Sequence, residues 1–232
     1  ALSSVAYDKG AWFLQFLEQR FGREVFDAFL RGWFDSQAFG STDTAAFLAY
    51  MNTELVAKNP HAVTADELDA WINQPGIPST APKAVSRNFA IVDSARIAVQ
   101  ASGDLPKQQV TGEWVTQEWV HFISGLGQTV DPALLAKLDK AYGLTGTSNG
   151  EIAMRWYPLA IRSGYDAALP QAQAFIEKVG RRKLIMPIYA ELVKTPAGLE
   201  AAKASFLRAR AGYHPITTGS VEAMLAQATP AP

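Results

Sequence analysis

Apolar side chains in this chain recur at three- and four-residue spacing, and nowhere do they alternate over a stretch long enough to make a strand. Val5, Trp12, Phe13, Phe16 and Leu17 form one run. Val25, Phe26, Phe29, Leu30, Trp33 and Phe34 form a second, with Gly22 between them. That period places each run on one face of a helix. Further along, the pattern is interrupted at short intervals by Gly103, Gly125 and Gly127, Gly143 and Gly146, Gly164, Gly180, Pro196 and Pro215. These breaks predict helices near residues 83–101, 110–124, 131–141, 148–163, 165–179, 181–194, 196–211 and 217–227. Short helices joined by tight turns can bury their apolar faces only against one another. The chain is therefore expected to be all-α, with helix pairs stacked as a two-layer right-handed superhelix. Thr64-Ala65-Asp66-Glu67, just ahead of Leu68 and Trp71, has the spacing of a capping box and predicts a helix start there.

One segment resists any helix. Gln74-Pro75-Gly76-Ile77-Pro78-Ser79-Thr80-Ala81-Pro82 holds three prolines and a glycine in nine residues, and reads as an extended linker. It predicts a division into residues 1–75, a linker at 76–82, and residues 83–232. Composition shifts across it. Residues 1–75 hold 13 of the 25 aromatics, and residues 1–82 carry 5 basic against 10 acidic side chains. The remainder carries 16 basic against 12 acidic, so it is mildly basic.

The formal net charge of −1 argues against a nucleic-acid partner, which needs a basic surface. No cysteine is present, which excludes a disulfide framework, thiol catalysis and cysteine-type zinc sites. No apolar run approaches the roughly 20 residues of a membrane span, so a soluble globular chain without a membrane partner is expected. Ala1 is followed directly by an aromatic-rich helix, with neither an initiator Met nor a signal peptide. That predicts the C-terminal piece of a longer protein, and the compartment, cytoplasmic or periplasmic, is not legible.

The three histidines, His61, His121 and His214, form no His-Glu-x-x-His pair and cannot share a helix face, so a zinc site within the chain is not expected. His214, ahead of Pro215, reads as a turn residue. A Gly-x-Ser-x-Gly elbow is absent, and Gly143-Leu144-Thr145-Gly146 lacks the lysine of a phosphate loop. Two places rise above this background. Tyr7 is either an aromatic packed on the core at a helix start or a phenol that donates a hydrogen bond to a developing oxyanion. Gly180-Arg181-Arg182-Lys183 opens a helix, where cations sit against the helix dipole unless an anion joins them.

Five motifs carry a resemblance: Ser3-Ser4-Val5-Ala6-Tyr7-Asp8-Lys9-Gly10, the Trp71…Pro75-Gly76-Ile77-Pro78 segment, Asn149-Gly150-Glu151-Ile152-Ala153-Met154-Arg155-Trp156, Gly180-Arg181-Arg182-Lys183, and Tyr213-His214-Pro215-Ile216-Thr217. In their order and spacing the chain resembles the C-terminal portion of the leukotriene A4 hydrolase-like zinc aminopeptidases, from Ser3 to about residue 225. The resemblance implies that residues 1–75 are the helical tail of a thermolysin-like catalytic domain and that the part from residue 83 is an armadillo-like C-terminal helical domain closing one end of the substrate cleft. It implies that Tyr7 hydrogen-bonds the tetrahedral intermediate formed when zinc-bound water attacks a peptide carbonyl. It implies further that Arg181 anchors the free carboxylate of a short peptide with Lys183 assisting. The zinc ligands and general base would then lie upstream of Ala1, leaving this chain inactive alone and without bound zinc. Leu2 stands where the vertebrate member of the family has a second tyrosine, so the resemblance implies peptidase rather than epoxide-hydrolase chemistry.

The competing reading is a non-catalytic helical scaffold whose concave surface binds a peptide or protein, with Arg181 and Lys183 touching acidic groups. The Ser-Ser-Val-x-Tyr context of Tyr7 discriminates, since a scaffold has no use for it. If a missing catalytic half belongs against residues 1–75, part of their aromatic surface should be exposed.

Overall fold

A computed structural model describes residues 5–83 and 85–228. Leu2, Ser3 and Ser4, which carry part of the first motif and the epoxide-hydrolase argument, lie outside the described residues. Among the described residues there is no strand, and the chain divides into two compact units, Ala1–Val85 and Ser86–Pro232.

The first unit holds four helices: α1 (Val5–Phe21), α2 (Arg23–Ser36), α3 (Thr44–Glu54) and α4 (Ala65–Ile72). Gly22 separates the first two at φ 82°, a backbone conformation that a side chain would strain. The apolar stripes meet as the period requires: Phe13, Phe16 and Leu17 of α1 are buried with Phe26 and Phe29 of α2, Met51 of α3 and Trp71 of α4. The Trp71 ring lies 5.8 Å from Phe13 and 5.5 Å from Phe16 between centroids. Helix α3 starts where the Asp43 carboxylate accepts from the Ala46 amide at 2.9 Å. The capping box of α4 forms as expected, with the Glu67 amide donating to Thr64 Oγ1 at 3.2 Å and the Thr64 amide donating to Glu67 Oε2 at 2.9 Å. Thr64→Ala should lower the stability of this unit by about 1 kcal/mol in urea denaturation, with Thr64→Ser close to wild type. An unchanged midpoint in the alanine variant would mean that the box contributes nothing.

The second unit holds α5 (Arg87–Ser102), α6 (Gln108–Thr111), α7 (Thr116–Gly125), α8 (Pro132–Tyr142), α9 (Gly150–Arg162), α10 (Leu169–Lys178), α11 (Arg182–Leu192), α12 (Pro196–Ala209) and α13 (Pro215–Gln227). Its packing skips one helix at a time. Helix α5 lies on α7, α7 on α9, α9 on α11 and α11 on α13, while α10 lies on α12. Stacking each helix on the next but one is how helix pairs build a layered coil. Helix α9 sits at the centre, with Ile152 to Met154 and Trp156 to Ala160 all buried. No described helix is long and apolar enough to cross a membrane.

The helix expected over 110–124 begins later. Residues 112–115 are not helical, and α7 starts at Thr116. The cause is Glu118, whose buried carboxylate turns back to accept from the Val115 amide at 2.6 Å and from Asn88 Nδ2 at 2.9 Å. Likewise α5 starts at Arg87, where Ser86 Oγ accepts from the Phe89 amide at 3.3 Å, rather than at residue 83.

Candidate functional site

The first turn of α1 carries Tyr7, whose side chain is 81% exposed and does not pack into the core of its own unit. Two residues on, Lys9 Nζ donates to the carbonyls of Gln74 at 2.6 Å and Ala70 at 3.3 Å. A cation at the C-terminal end of α4 satisfies carbonyls that the helix leaves orphaned and opposes the negative end of its dipole. Lys9 thereby ties the turn bearing Tyr7 to the chain around Trp71 and Pro75, so the first two motifs form one cluster. Elsewhere in this unit Phe34 is 68% exposed and Phe39 wholly so, with Phe39 at φ 59°.

The other two candidates belong to the second unit. Arg181 stands immediately before α11, exposed, and its guanidinium makes no hydrogen bond or ion pair among the described residues. Its neighbours are engaged. Arg182 Nε donates to Ser220 Oγ at 2.8 Å, and Lys183 Nζ reaches both carboxylate oxygens of Glu151, at 2.8 and 3.0 Å. Three cations open the helix and two have partners, leaving Arg181 as the free one.

The surroundings of Arg181 follow from the packing order. Hydrogen bonds join the N-terminal ends of successive helices in one layer. Asn88 of α5 reaches Glu118 of α7 at 2.9 Å, and Thr116 of α7 meets the α9 cap, Asn149, at 2.8 Å. Glu151 of α9 meets Lys183 of α11, and Arg182 of α11 meets Ser220 of α13. Five helix N-termini therefore line one edge, each presenting the positive end of its dipole. An unpaired guanidinium on such an edge is suited to hold a carboxylate.

The Tyr213–Thr217 motif lies under this edge. Tyr213 donates its hydroxyl hydrogen to the Ile176 carbonyl, which leaves Tyr189 to donate to Tyr213 at 3.2 Å. Burial pushes both phenols above their ordinary pKa, Tyr189 the more strongly, so they stay neutral donors. Thr217 Oγ1 donates to the Gly180 carbonyl at 3.3 Å, and a methyl placed on Gly180 would come within 3.4 Å of the Gly212 carbonyl. His214, read from the sequence as a turn residue, is a helix cap: its Nδ1 accepts from the Ile216 amide at 3.2 Å, and α13 starts at Pro215 rather than at residue 217. The last three motifs thus converge on the start of α11, which the letters alone did not reveal. Sequence reasoning also passed over Lys9, Glu151 and Thr217 as individuals, although all three stood within the motifs.

Among the described residues no three His, Asp or Glu side chains gather closely enough to hold a metal ion. His121 is occupied by a structural pairing, with Nε2 3.0 Å from Asp93 Oδ1 and its ring stacked 4.5 Å from Phe89. Hydrogen bonding from Arg96 holds the Asp93 carboxyl below its ordinary pKa.

The family model described as leukotriene A4 hydrolase, C-terminal, matches residues 114–225. Leukotriene A-4 hydrolase of Xenopus laevis is 28% identical over 228 residues, which cover 94% of this chain and 37% of that protein. Leucine aminopeptidase 2 of Ajellomyces capsulatus is 28% identical over 237 residues, covering 96% and 36% respectively. Among solved structures, native yeast LTA4 hydrolase superposes with a TM-score of 0.77 at 22% identity, over 97% of this chain and 39% of that one. The chain spans little more than a third of the length of these relatives.

Proposed function

We propose, for a chain that carries the leukotriene A4 hydrolase C-terminal domain over residues 114–225, that it is the C-terminal part of a zinc-dependent aminopeptidase acting on short peptides. The observation that carries this reading is the unpaired Arg181 guanidinium on an edge of helix N-termini. In this reading Arg181 binds the free C-terminal carboxylate of the substrate. Lys183, paired with Glu151, assists from the first turn of α11. A fixed cation of this kind favours di- and tripeptides, because it selects for the distance between the carboxylate and the scissile bond. Tyr7 has the role of hydrogen-bond donor to the oxyanion that develops on the substrate carbonyl, and its exposure in the first unit leaves the hydroxyl available for it. Residues 1–75 are then the tail of the catalytic domain and residues 83–232 the C-terminal helical domain.

A zinc ion supplies such an enzyme with a Lewis acid and an activated water. In this reading its ligands, like the rest of the catalytic domain, belong to sequence outside this chain. The peptide substrate and that remaining part of the same protein are the partners the reading requires. Neither nucleic acid nor a membrane is among them.

The test compares trialanine with alanyl-p-nitroanilide, which has no C-terminal carboxylate, in the full-length protein with and without a zinc chelator. Arg181→Ala should raise KM for trialanine by about 10- to 100-fold, the loss of a charged hydrogen bond, while affecting the anilide far less. Equal effects on both substrates would remove Arg181 from the carboxylate site. Full-length protein that cleaves neither substrate would leave the helical-scaffold reading in first place.

A further inference from the structure

Arg181 is the N-cap of α11, its carbonyl accepting from the Leu184 amide at 2.9 Å, and its guanidinium has no partner among the described residues, yet the residues on either side of it are both tied to one further helix. Before it, the Gly180 carbonyl accepts from Thr217 Oγ1 at 3.3 Å. After it, the Arg182 guanidinium donates from Nε to Ser220 Oγ at 2.8 Å. Both hydroxyls belong to the first two turns of α13. Ser220 passes its own hydrogen to the Ile216 carbonyl at 2.8 Å, so its oxygen is free to accept from Arg182. Thr217 is only 3% exposed. The ring of Tyr213 closes the third side, 3.5 Å from where a Gly180 methyl would stand.

From this bracket we infer that Thr217 and Ser220 are positioning residues for Arg181, setting the place of its guanidinium without touching substrate. The inference rests on the reading of Arg181 as the carboxylate anchor. A residue just outside a helix has freer backbone angles than one within it. Pinning the carbonyl before it and the side chain after it reduces that freedom before substrate arrives, so less ordering entropy is lost on binding. The two hydroxyls lie 36 or more residues beyond Arg181 in sequence, and only the packing of α11 on α13 brings them to it.

The test uses trialanine as the free acid and as its C-terminal amide, two substrates differing only in the carboxylate, with the full-length protein. The double variant Thr217→Val with Ser220→Ala should raise KM for the acid relative to the amide by about tenfold, two hydrogen bonds of ordinary worth acting on one residue, with kcat little moved. Restoring the hydroxyl as Thr217→Ser should recover most of the loss. If the double variant does not fold, Ser220→Ala alone, at a half-buried surface position, should shift the ratio by about threefold. Arg181→Ala runs alongside to keep the two ideas separate. If Arg181→Ala discriminates acid from amide and the hydroxyl variants do not, or if those variants weaken both substrates alike, the positioning role is wrong and the anchor stands. If Arg181→Ala fails to discriminate, the anchor reading falls and the positioning role falls with it.

Discussion

Replacing Tyr7 by phenylalanine in the full-length protein should lower kcat on peptides by about 100- to 1,000-fold while leaving KM near its original value, the effect of deleting one donor to an oxyanion. The change removes a single oxygen and keeps the ring. Because the side chain is 81% exposed and outside the core of its unit, thermal stability should not change. The ground-state carbonyl accepts weakly and the developing oxyanion strongly, so the loss belongs in kcat rather than KM. A decrease below about threefold, too small for a lost oxyanion donor, would remove Tyr7 from the chemistry. A fall in melting temperature accompanying the rate loss would point instead to damage around the Lys9 staple.

Trp156→Ala should destabilise the second unit by about 3–5 kcal/mol, enough to consume much of the stability of an ordinary domain. Trp156 is fully buried in α9. Its indole N–H donates to Thr145 Oγ1 at 2.9 Å, and its ring meets Tyr165 edge-on at 6.2 Å. The loop it supports is held by more than this one bond: Asp139 accepts from the Thr145 amide at 2.7 Å and from the Tyr165 hydroxyl at 2.9 Å. Truncation would therefore open a large cavity and also leave the half-buried Thr145 hydroxyl short of a partner. Trp156→Phe keeps an aromatic ring in the site while losing the donor and the pyrrole half of the indole, so it leaves a much smaller cavity. Guanidinium melts of the unit should rank alanine far below phenylalanine and phenylalanine modestly below wild type. Alanine within about 1 kcal/mol of wild type, a range typical of non-core changes, would show that the α9 core does not hold the unit together.

Two features were legible because each is closed within a few residues. The Thr64 and Glu67 box spans four positions, and the Gly22 break needs only its own backbone angle. The helical period also carried α9 and α11 correctly through Pro158 and Pro187, where a local rule would have ended them. Burial on most of the α9 surface outweighs the bond that a proline removes. Helix α3 escaped notice because its large apolar residues, Phe47, Leu48, Tyr50 and Met51, keep three- and four-residue spacing over little more than one turn. The Asp43 cap was the signal available for it. The expected helix over 110–124 failed because its true start depends on Asn88, 30 residues away, holding the Glu118 carboxylate in place.

The all-α class, the capped start at Thr64 and the identity of the candidate residues follow from the sequence, since periodicity, capping and motif spacing are properties of neighbouring letters. The partners of those residues do not. Lys9 meets Gln74 across 65 positions, Lys183 meets Glu151 across 32 and Thr217 meets Gly180 across 37. No local rule connects such pairs. Which helix ends become neighbours is decided by the burial of whole apolar faces, α9 on α11 and α11 on α13, and the polar residues at those ends then pair with whatever the packing has placed beside them. Tertiary structure alone leaves Arg181 free among three adjacent cations, because it alone supplies Glu151 to one neighbour and Ser220 to the other.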